Sequence, residues 1–279
     1  MKRSIAILLM ALMAPLAALA APTALEQSTA SLLAAGMEKG ALERLNQSLA
    51  ERNYGEEQSL RVHAVIQNTL KAGLPAQPVA LKAQEGLSKN VEPARLVAAM
   101  QRVQARYGFA YAQARSLGAD AKVGNTLAES LAAGLNERDC ERLTAQLRDR
   151  SRDRLRDQDY LNETCQTIRE LARQGVASGT ISRVMGEAIN KGYTAREMAQ
   201  LRAAFKKEAG WSSPESVARA YAGAIAGGSR GGQLGSRSGS GAGGGMGGNA
   251  GGSGGGANGS GSGSGGSGGS GGHGGGGRR

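Results

Sequence analysis

Apolar residues in the central part of the chain recur every three or four positions, with polar residues between them. Val176, for example, is followed by Ile181, Val184 and Met185. This spacing places apolar side chains on one face of an α-helix. No stretch shows the alternation or the Asn-Gly and Asp-Gly turns that predict β-hairpins. We therefore predict an all-α fold for residues 21–227.

The helical segments are separated by a recurring corner, in which a glycine is followed directly by an apolar residue. Two corners lie in similar stretches, LAAGMEKGALERL at 33–45 and LAAGLNERDCERL at 131–143, which are identical at seven of thirteen positions. Further apolar residues follow the first one at about five, eight and twelve positions. The pattern places helix-stop corners at Gly36, Gly73, Asn90, Gly134, Gly175 and Gly192.

Such a corner has a physical meaning at the end of a helix. Glycine, and less often asparagine, adopts the left-handed backbone that ends a helix, and the next apolar residue packs back onto the last turn. Signals for a new helix follow closely. Thr194 and Glu197 have the spacing of a capping box, and Pro93 follows Glu92 as a first helical residue.

The spacing of the corners predicts the architecture. Neighbouring corners 17 residues apart leave helices of about 13 residues, which are only marginally stable alone. Stability must then come from stacking, as in helical repeats. We predict an array of about ten short helices, either an irregular α-solenoid or an orthogonal bundle, with consecutive helices side by side.

The first twenty residues predict a secretory signal peptide. Lys2 and Arg3 precede an apolar run that is interrupted by Pro15, and Ala18 and Ala20 form an A-x-A cleavage pattern. We expect removal of residues 1–20 and a periplasmic or extracellular protein. The alternative is a membrane anchor, for which the run is close to the minimum length. No later segment of the sequence is apolar enough to span a membrane.

The composition changes after Gly227. From Gly228 onward, 29 of 52 residues are glycine, and most others are Ser, Ala, Asn or Arg. Such a segment buries too little apolar surface to offset the entropy lost on ordering. We predict that residues 228–279 form a disordered tail. Its matches to glycine-rich motifs follow from composition, because no strand and helix flank them.

The net charge of +11 suggests a nucleic-acid-binding protein until it is divided along the chain. Between residues 22 and 227, 28 basic residues stand against 23 acidic ones, which is an ordinary mixed surface. The tail contains no acidic residue. The weak candidates for contact with an anionic polymer are its arginines, Arg230, Arg237, Arg278 and Arg279.

Cys140 and Cys165 are the two cysteines of the chain. Because cysteines of exported proteins are usually bonded, we predict a disulfide between them. A turn near residues 152–153 would place the thiols at similar heights, whereas a continuous helix would separate them. Buried free thiols are the alternative, since Cys140 takes the position of Leu42 in the matching corner. Redox or metal chemistry is a third reading.

Residues with catalytic potential are sparse. His63 is the only histidine before the tail, and no His, Cys or carboxylate cluster has metal-ligand spacing. The stretch RYGFAYAQAR at 106–115 contains an order of residues similar to an RNA-binding motif, but that motif functions on a β-strand. Helical spacing favours core packing instead. The sequence predicts neither an enzyme nor a cofactor.

These features predict an exported, non-enzymatic helical protein that acts as a structural or protein-interaction module, with another protein as its partner. The tail would be a solubilising appendage or a tether to a cell surface. The first alternative is binding of an anionic polymer, such as extracellular nucleic acid or acidic polysaccharide, with help from the tail arginines. The second is an enzyme with carboxylates dispersed along the chain. The sequence indicates no oligomeric state.

Overall fold

A computed structural model describes residues 22–150 and 157–235, without the side chain of Arg150. Within these ranges the chain forms eleven α-helices, a short 3-10 helix at Gly231–Gln233 and no β-strand, which confirms the predicted all-α class. The helices are α1 (Ala24–Ala34), α2 (Lys39–Glu51), α3 (Glu56–Lys71), α4 (Gln77–Ser88), α5 (Pro93–Ser116), α6 (Ala121–Ala132), α7 (Glu137–Arg150), α8 (Gln158–Arg173), α9 (Ser178–Asn190), α10 (Ala195–Ala209) and α11 (Pro214–Ala226).

The six helix-stop residues named from the sequence all have positive φ, from 53° at Asn90 to 116° at Gly134. Three further residues share this conformation: Asn53, Gly118 and Gly228. At every one of these nine corners, the N–H of the next residue donates to the carbonyl five positions before it, as in a Schellman motif. At the first corner, Met37 N lies 3.0 Å from Leu32 O.

The helices also begin where the sequence signals place their first residues. Thr194 and Glu197 form the capping box at the start of α10, each side chain accepting from the other residue's backbone N–H. The Glu92 carboxylate accepts from the N–H groups of Ala94 and Arg95 at the start of α5. These contacts satisfy backbone donors that have no partner within the helix.

The helices form two layers, and the chain passes from one layer to the other at most corners. Extensive contacts join helices that are two apart in the chain: α1 with α3, α2 with α4, α6 with α8, α8 with α10, α7 with α9, and α9 with α11. Apart from those of α5, contacts between consecutive helices are less extensive. We expected consecutive helices to lie side by side, and those around α5 do; elsewhere the more extensive contacts join helices two elements apart.

Helix α5 joins the helices before it to those after it. It has 24 residues and contacts α3 and α4 as well as α6. Near its start, Leu96 packs over Gly86 of α4, and near its end the ring of Tyr111 packs over Gly124 of α6. A side chain at either glycine would overlap these groups. The two glycines therefore allow close approach of α5 to both neighbours.

Hydrogen bonds between residues 35 to 44 positions apart connect neighbouring helix pairs. Three of them have one form: a backbone N–H just after a corner donates to a side chain at the start of a later helix. They are Asp120 N to Gln158 Oε1 (3.3 Å), Asn136 N to Ser178 Oγ (3.0 Å) and Ala177 N to Glu215 Oε2 (2.9 Å). These bonds fix the position of each helix pair against the next.

The packed structure continues beyond Gly227, where we placed the start of the tail. Tyr193 donates its hydroxyl to Ser229 O at 2.7 Å, and Leu234 is buried. Gly231 packs against the backbone of Glu197. Residues 228–235 are therefore packed, although the prediction placed them in the tail. The high glycine content of this segment hides a further corner at Gly228, with Leu234 in the expected apolar position.

Several predictions fall outside the described residues. They concern the signal peptide at 1–20 and the tail arginines Arg237, Arg278 and Arg279. Among the helices that the structure does describe, none combines the length and the apolar character needed to cross a membrane.

Candidate binding groove between α2, α4 and α5

Two hollows lie next to each other on the face formed by α2, α4 and α5. The first, of about 520 Å³, lies between α2, α4 and the corners at Gly36 and Gly73. The second, of about 560 Å³, lies between α4 and α5. Leu81 of α4 lines both hollows. We call the two hollows together the Leu81 groove.

Leu81 is unusual because its side chain is 55% exposed. Helix α4 directs Val79, Ala80, Ala83 and Leu87 into the core, and Leu81 lies off that stripe. In the described part of the chain, only Leu33 and Trp211 are other large apolar side chains with comparable exposure. Leu81 alone of the three lines both hollows. An exposed apolar residue inside a concavity is typical of an interaction surface.

The first hollow is mostly apolar with a polar rim. Its lining includes Met37, Leu70 and Leu74, and the rim carries Glu38 and Arg44. Glu38 accepts from the N–H groups at the start of α2, and its Oε2 lies 3.7 Å from Arg44 Nη2. The two charges of this rim therefore offset each other.

The second hollow carries a positive charge. Its lining includes Lys82, Arg102 and Arg106, and the one carboxylate is Glu85. Glu85 Oε1 accepts from Lys89 Nζ at 2.6 Å and Oε2 from Lys82 Nζ at 2.9 Å. These bonds lower the pKa of Glu85 to about 2. The carboxylate therefore stays ionised and is already neutralised by lysines.

Arg102 and Arg106 have no ion-pair partner among the residues that the structure describes. They are four positions apart on α5, so both lie on the same face of the helix. Arg106 Nε is buried and makes no hydrogen bond to a described residue. Two arginines that line an open hollow without an ion-pair partner favour a ligand that carries negative charge.

His63 has a structural environment rather than a catalytic one. Its ring is fully buried, with Nδ1 3.1 Å from Ser28 Oγ and Nε2 2.8 Å from Asn46 Oδ1. The amide oxygen of Asn46 only accepts, so Nε2 carries the proton and Nδ1 accepts from Ser28. Burial lowers the pKa of His63. Across residues 22–150 and 157–235, no three His, Cys, Asp or Glu side chains are grouped as metal ligands.

Cys140 and Cys165 are both buried and are free thiols in the structure. Burial raises the pKa of Cys140 to about 12, and it also raises the pKa of Cys165. Both groups are therefore protonated at neutral pH, and a protonated thiol is a poor nucleophile. Their positions agree with the buried-thiol alternative, and the disulfide stays a prediction.

Arg230 is the one tail arginine within the described residues, and its side chain makes contacts with other parts of the fold. Its Nη1 donates to Lys191 O at 3.1 Å and lies 3.6 Å from Glu197 Oε1. Its guanidinium also covers the ring of Tyr193 at 5.7 Å. An arginine held in this way is less available to an anionic polymer than the prediction assumed.

Sequence reasoning identified the corners but not the groove. The corner residues shape the fold, and two of the six, Gly36 and Asn90, also line hollows. The groove residues Leu81, Arg102 and Arg106 were not singled out. A usable signal was Leu81 itself, an apolar residue off the core stripe of α4. Arg102 and Arg106 gave no such signal, because the sequence does not show which face of α5 is left uncovered by other helices.

The fold and the groove together define a class: a two-layer α-helical array with a groove between helices. Comparison with known protein families, with curated proteins and with solved structures found no significant match to this chain.

Proposed function

We propose that this protein is an exported, non-enzymatic helical module that binds a partner protein through the Leu81 groove. The observation that carries the proposal is the exposure of Leu81 between two hollows. Covering a leucine side chain contributes about 1.5–3 kcal/mol. Interfaces obtain most of their affinity from a few such central residues.

The way in which the groove is built supports the proposal. Its walls are helices together with two corners that backbone hydrogen bonds hold in place, and Leu96 packed over Gly86 fixes α4 against α5. A groove made of packed helices loses little conformational entropy when a partner binds, so more of the contact energy appears as affinity. Loops, by contrast, would have to be ordered first.

Export is the second part of the proposal. It is supported by the charged start, the apolar run and the cleavage pattern at Ala18 and Ala20. Sequencing the N-terminus of the protein isolated from the periplasm or the culture fluid tests it. The expected first residue is Ala21 or Pro22, and an intact Met1 on a cell-associated protein would contradict the proposal.

Site-specific photo-crosslinking tests the proposed binding. A photoreactive amino acid replaces Leu81 in one variant and Asn68, an exposed residue of α3, in the control. Both proteins are irradiated in an extract of the periplasm or secreted fraction, and the products are identified by mass spectrometry. We expect one defined protein to be crosslinked at position 81 and not at position 68. Equal products at both positions, or none, would contradict a partner in the groove.

A further inference from the structure

We propose that the partner segment held in the Leu81 groove is an acidic amphipathic peptide. Its apolar side chains would contact Leu81 and the apolar lining of the first hollow, and its carboxylates would pair with Arg102 and Arg106. This inference rests on the proposed function, and it adds the chemistry of the partner.

The position of Leu81 favours a partner segment with apolar side chains. The side chain lies between the hollows, with Leu70 and Leu74 on one side and Val103 and Tyr107 on the other. A segment that crosses both hollows therefore meets apolar side chains in each of them, and charged side chains as well in the second. Only a segment with apolar side chains on one face gains from that path.

The charges in the second hollow favour a partner segment that carries negative charge. Arg102 and Arg106 are without an ion pair in the described part of the chain, and Lys82 adds a third cation. The one carboxylate, Glu85, is already held by Lys82 and Lys89. The hollow therefore carries positive charge that no described residue balances, which favours a ligand with negative charge.

Arginine geometry makes a carboxylate the best partner. A carboxylate can accept two hydrogen bonds from one guanidinium, and such paired bonds are stronger than neutral ones. Arg106 lines the second hollow and has no ion pair with a described residue, so its guanidinium is a candidate for such a contact. Two arginines one helical turn apart would fit two acidic residues of the same segment.

A peptide fits the groove better than an anionic polymer does. Sulfate or phosphate groups along a polymer would leave the exposed Leu81 without a suitable contact. The lining also contains only a few cations, whereas polymer binding depends on many phosphate or sulfate contacts. A peptide with both apolar and acidic residues uses every part of the groove.

Selection from a random peptide library tests the inference. Phage that display random 16-residue peptides are selected on the full mature protein, and the enriched peptides are then measured by fluorescence anisotropy. We expect the enriched peptides to carry several Asp or Glu residues together with Leu, Ile or Phe. A set of enriched peptides that is neutral or basic would overturn the inference.

Matched variants locate the binding. Arg102→Gln with Arg106→Gln removes both charges and keeps polar side chains, and we expect it to weaken binding about tenfold or more. Leu81→Ser should weaken binding by a similar factor. The control is Arg183→Gln, which removes an exposed arginine of α9, and its affinity should stay within about twofold. Equal weakening by the control, or none by the double variant, would overturn the inference.

Competition with heparin separates the peptide from an anionic polymer. Heparin that displaces the peptides and binds more tightly than they do, with a steep loss of affinity in salt, would overturn the inference in favour of a polymer site. The outcomes for the two proposals are also distinct. A partner crosslinked at position 81, together with peptides that ignore Arg102 and Arg106, would remove this inference and leave the proposed function intact.

Discussion

At the scale of single residues, the backbone conformation of each corner determines whether the chain can leave one helix and begin the next. Seven glycines and two asparagines with positive φ occupy these positions in the described part of the chain. A residue with a Cβ is strained there, most of all at Gly134, where φ is 116°. No other atom lies within 4 Å of a Cβ built at Gly134, so the backbone alone sets the requirement.

We predict that Gly134→Ala lowers the free energy of unfolding by about 1–3 kcal/mol, because alanine would be held in a strained conformation. Gly223→Ala is the matched control, since Gly223 is an exposed residue inside α11 with open space around its Cβ position. The control should raise stability by about 0.5–1 kcal/mol. Urea unfolding measures both. Similar effects of the two variants would contradict the assigned role of Gly134.

His63 makes the fold sensitive to pH. Burial holds its pKa below the ordinary value of 6.5 in the folded protein, so the unfolded chain binds a proton first as the pH falls. We predict that this contribution to stability is complete well above pH 6.5 and is lost progressively as the pH falls below 6.5, with a slope of at most about 1.4 kcal/mol per pH unit. Unfolding curves measured across this range test the prediction. His63→Gln should remove the slope, and a slope that persists would assign it to other groups.

At the scale of elements, residues 228–235 form a packed segment beyond α11. They contact α10, Leu234 is buried, and Ser229 O accepts a hydrogen bond from the Tyr193 hydroxyl. The segment therefore belongs to the fold, although its composition resembles that of the tail.

We predict that a chain ending at Gly227 is less stable than the full mature protein by about 2–4 kcal/mol, because it loses the burial of Leu234 and a buried hydrogen bond. A chain ending at Gly235 should match the full protein. Thermal unfolding distinguishes the two. Equal stability of both shortened chains would show that the segment contributes nothing to the fold.

One corner and the arrangement of the helices in layers were not predicted from the sequence. The corner at Asn53 and Tyr54 was not predicted, because the fifth position after Tyr54 is Ser59, a buried but polar residue. The other positions, Val62 and Ile66, follow the rule. The corner pattern thus predicted where helices stop. It did not predict the layers, because spacing along the chain carries no information on which helices approach each other.

At the scale of the whole molecule, the Leu81 groove lies in the part of the array that runs from α2 to α5, and the residues that line its two hollows all belong to that part. Helix α5 forms one wall of the second hollow and also contacts α6. The groove could not be predicted from the sequence, since it exists only through the packing of α2, α4 and α5. Leu81 is exposed in this groove, and Arg102 and Arg106 make no ion pair with a described residue. The packing of the core does not explain these three side chains.

The central claim is that the partner binds in this groove. Hydrogen–deuterium exchange of the protein, alone and with the partner captured at position 81, tests it most directly. We expect slower exchange in α2, α4 and the first half of α5, with unchanged exchange in α8 to α11. Protection confined to the later helices or to the tail would contradict binding in the Leu81 groove.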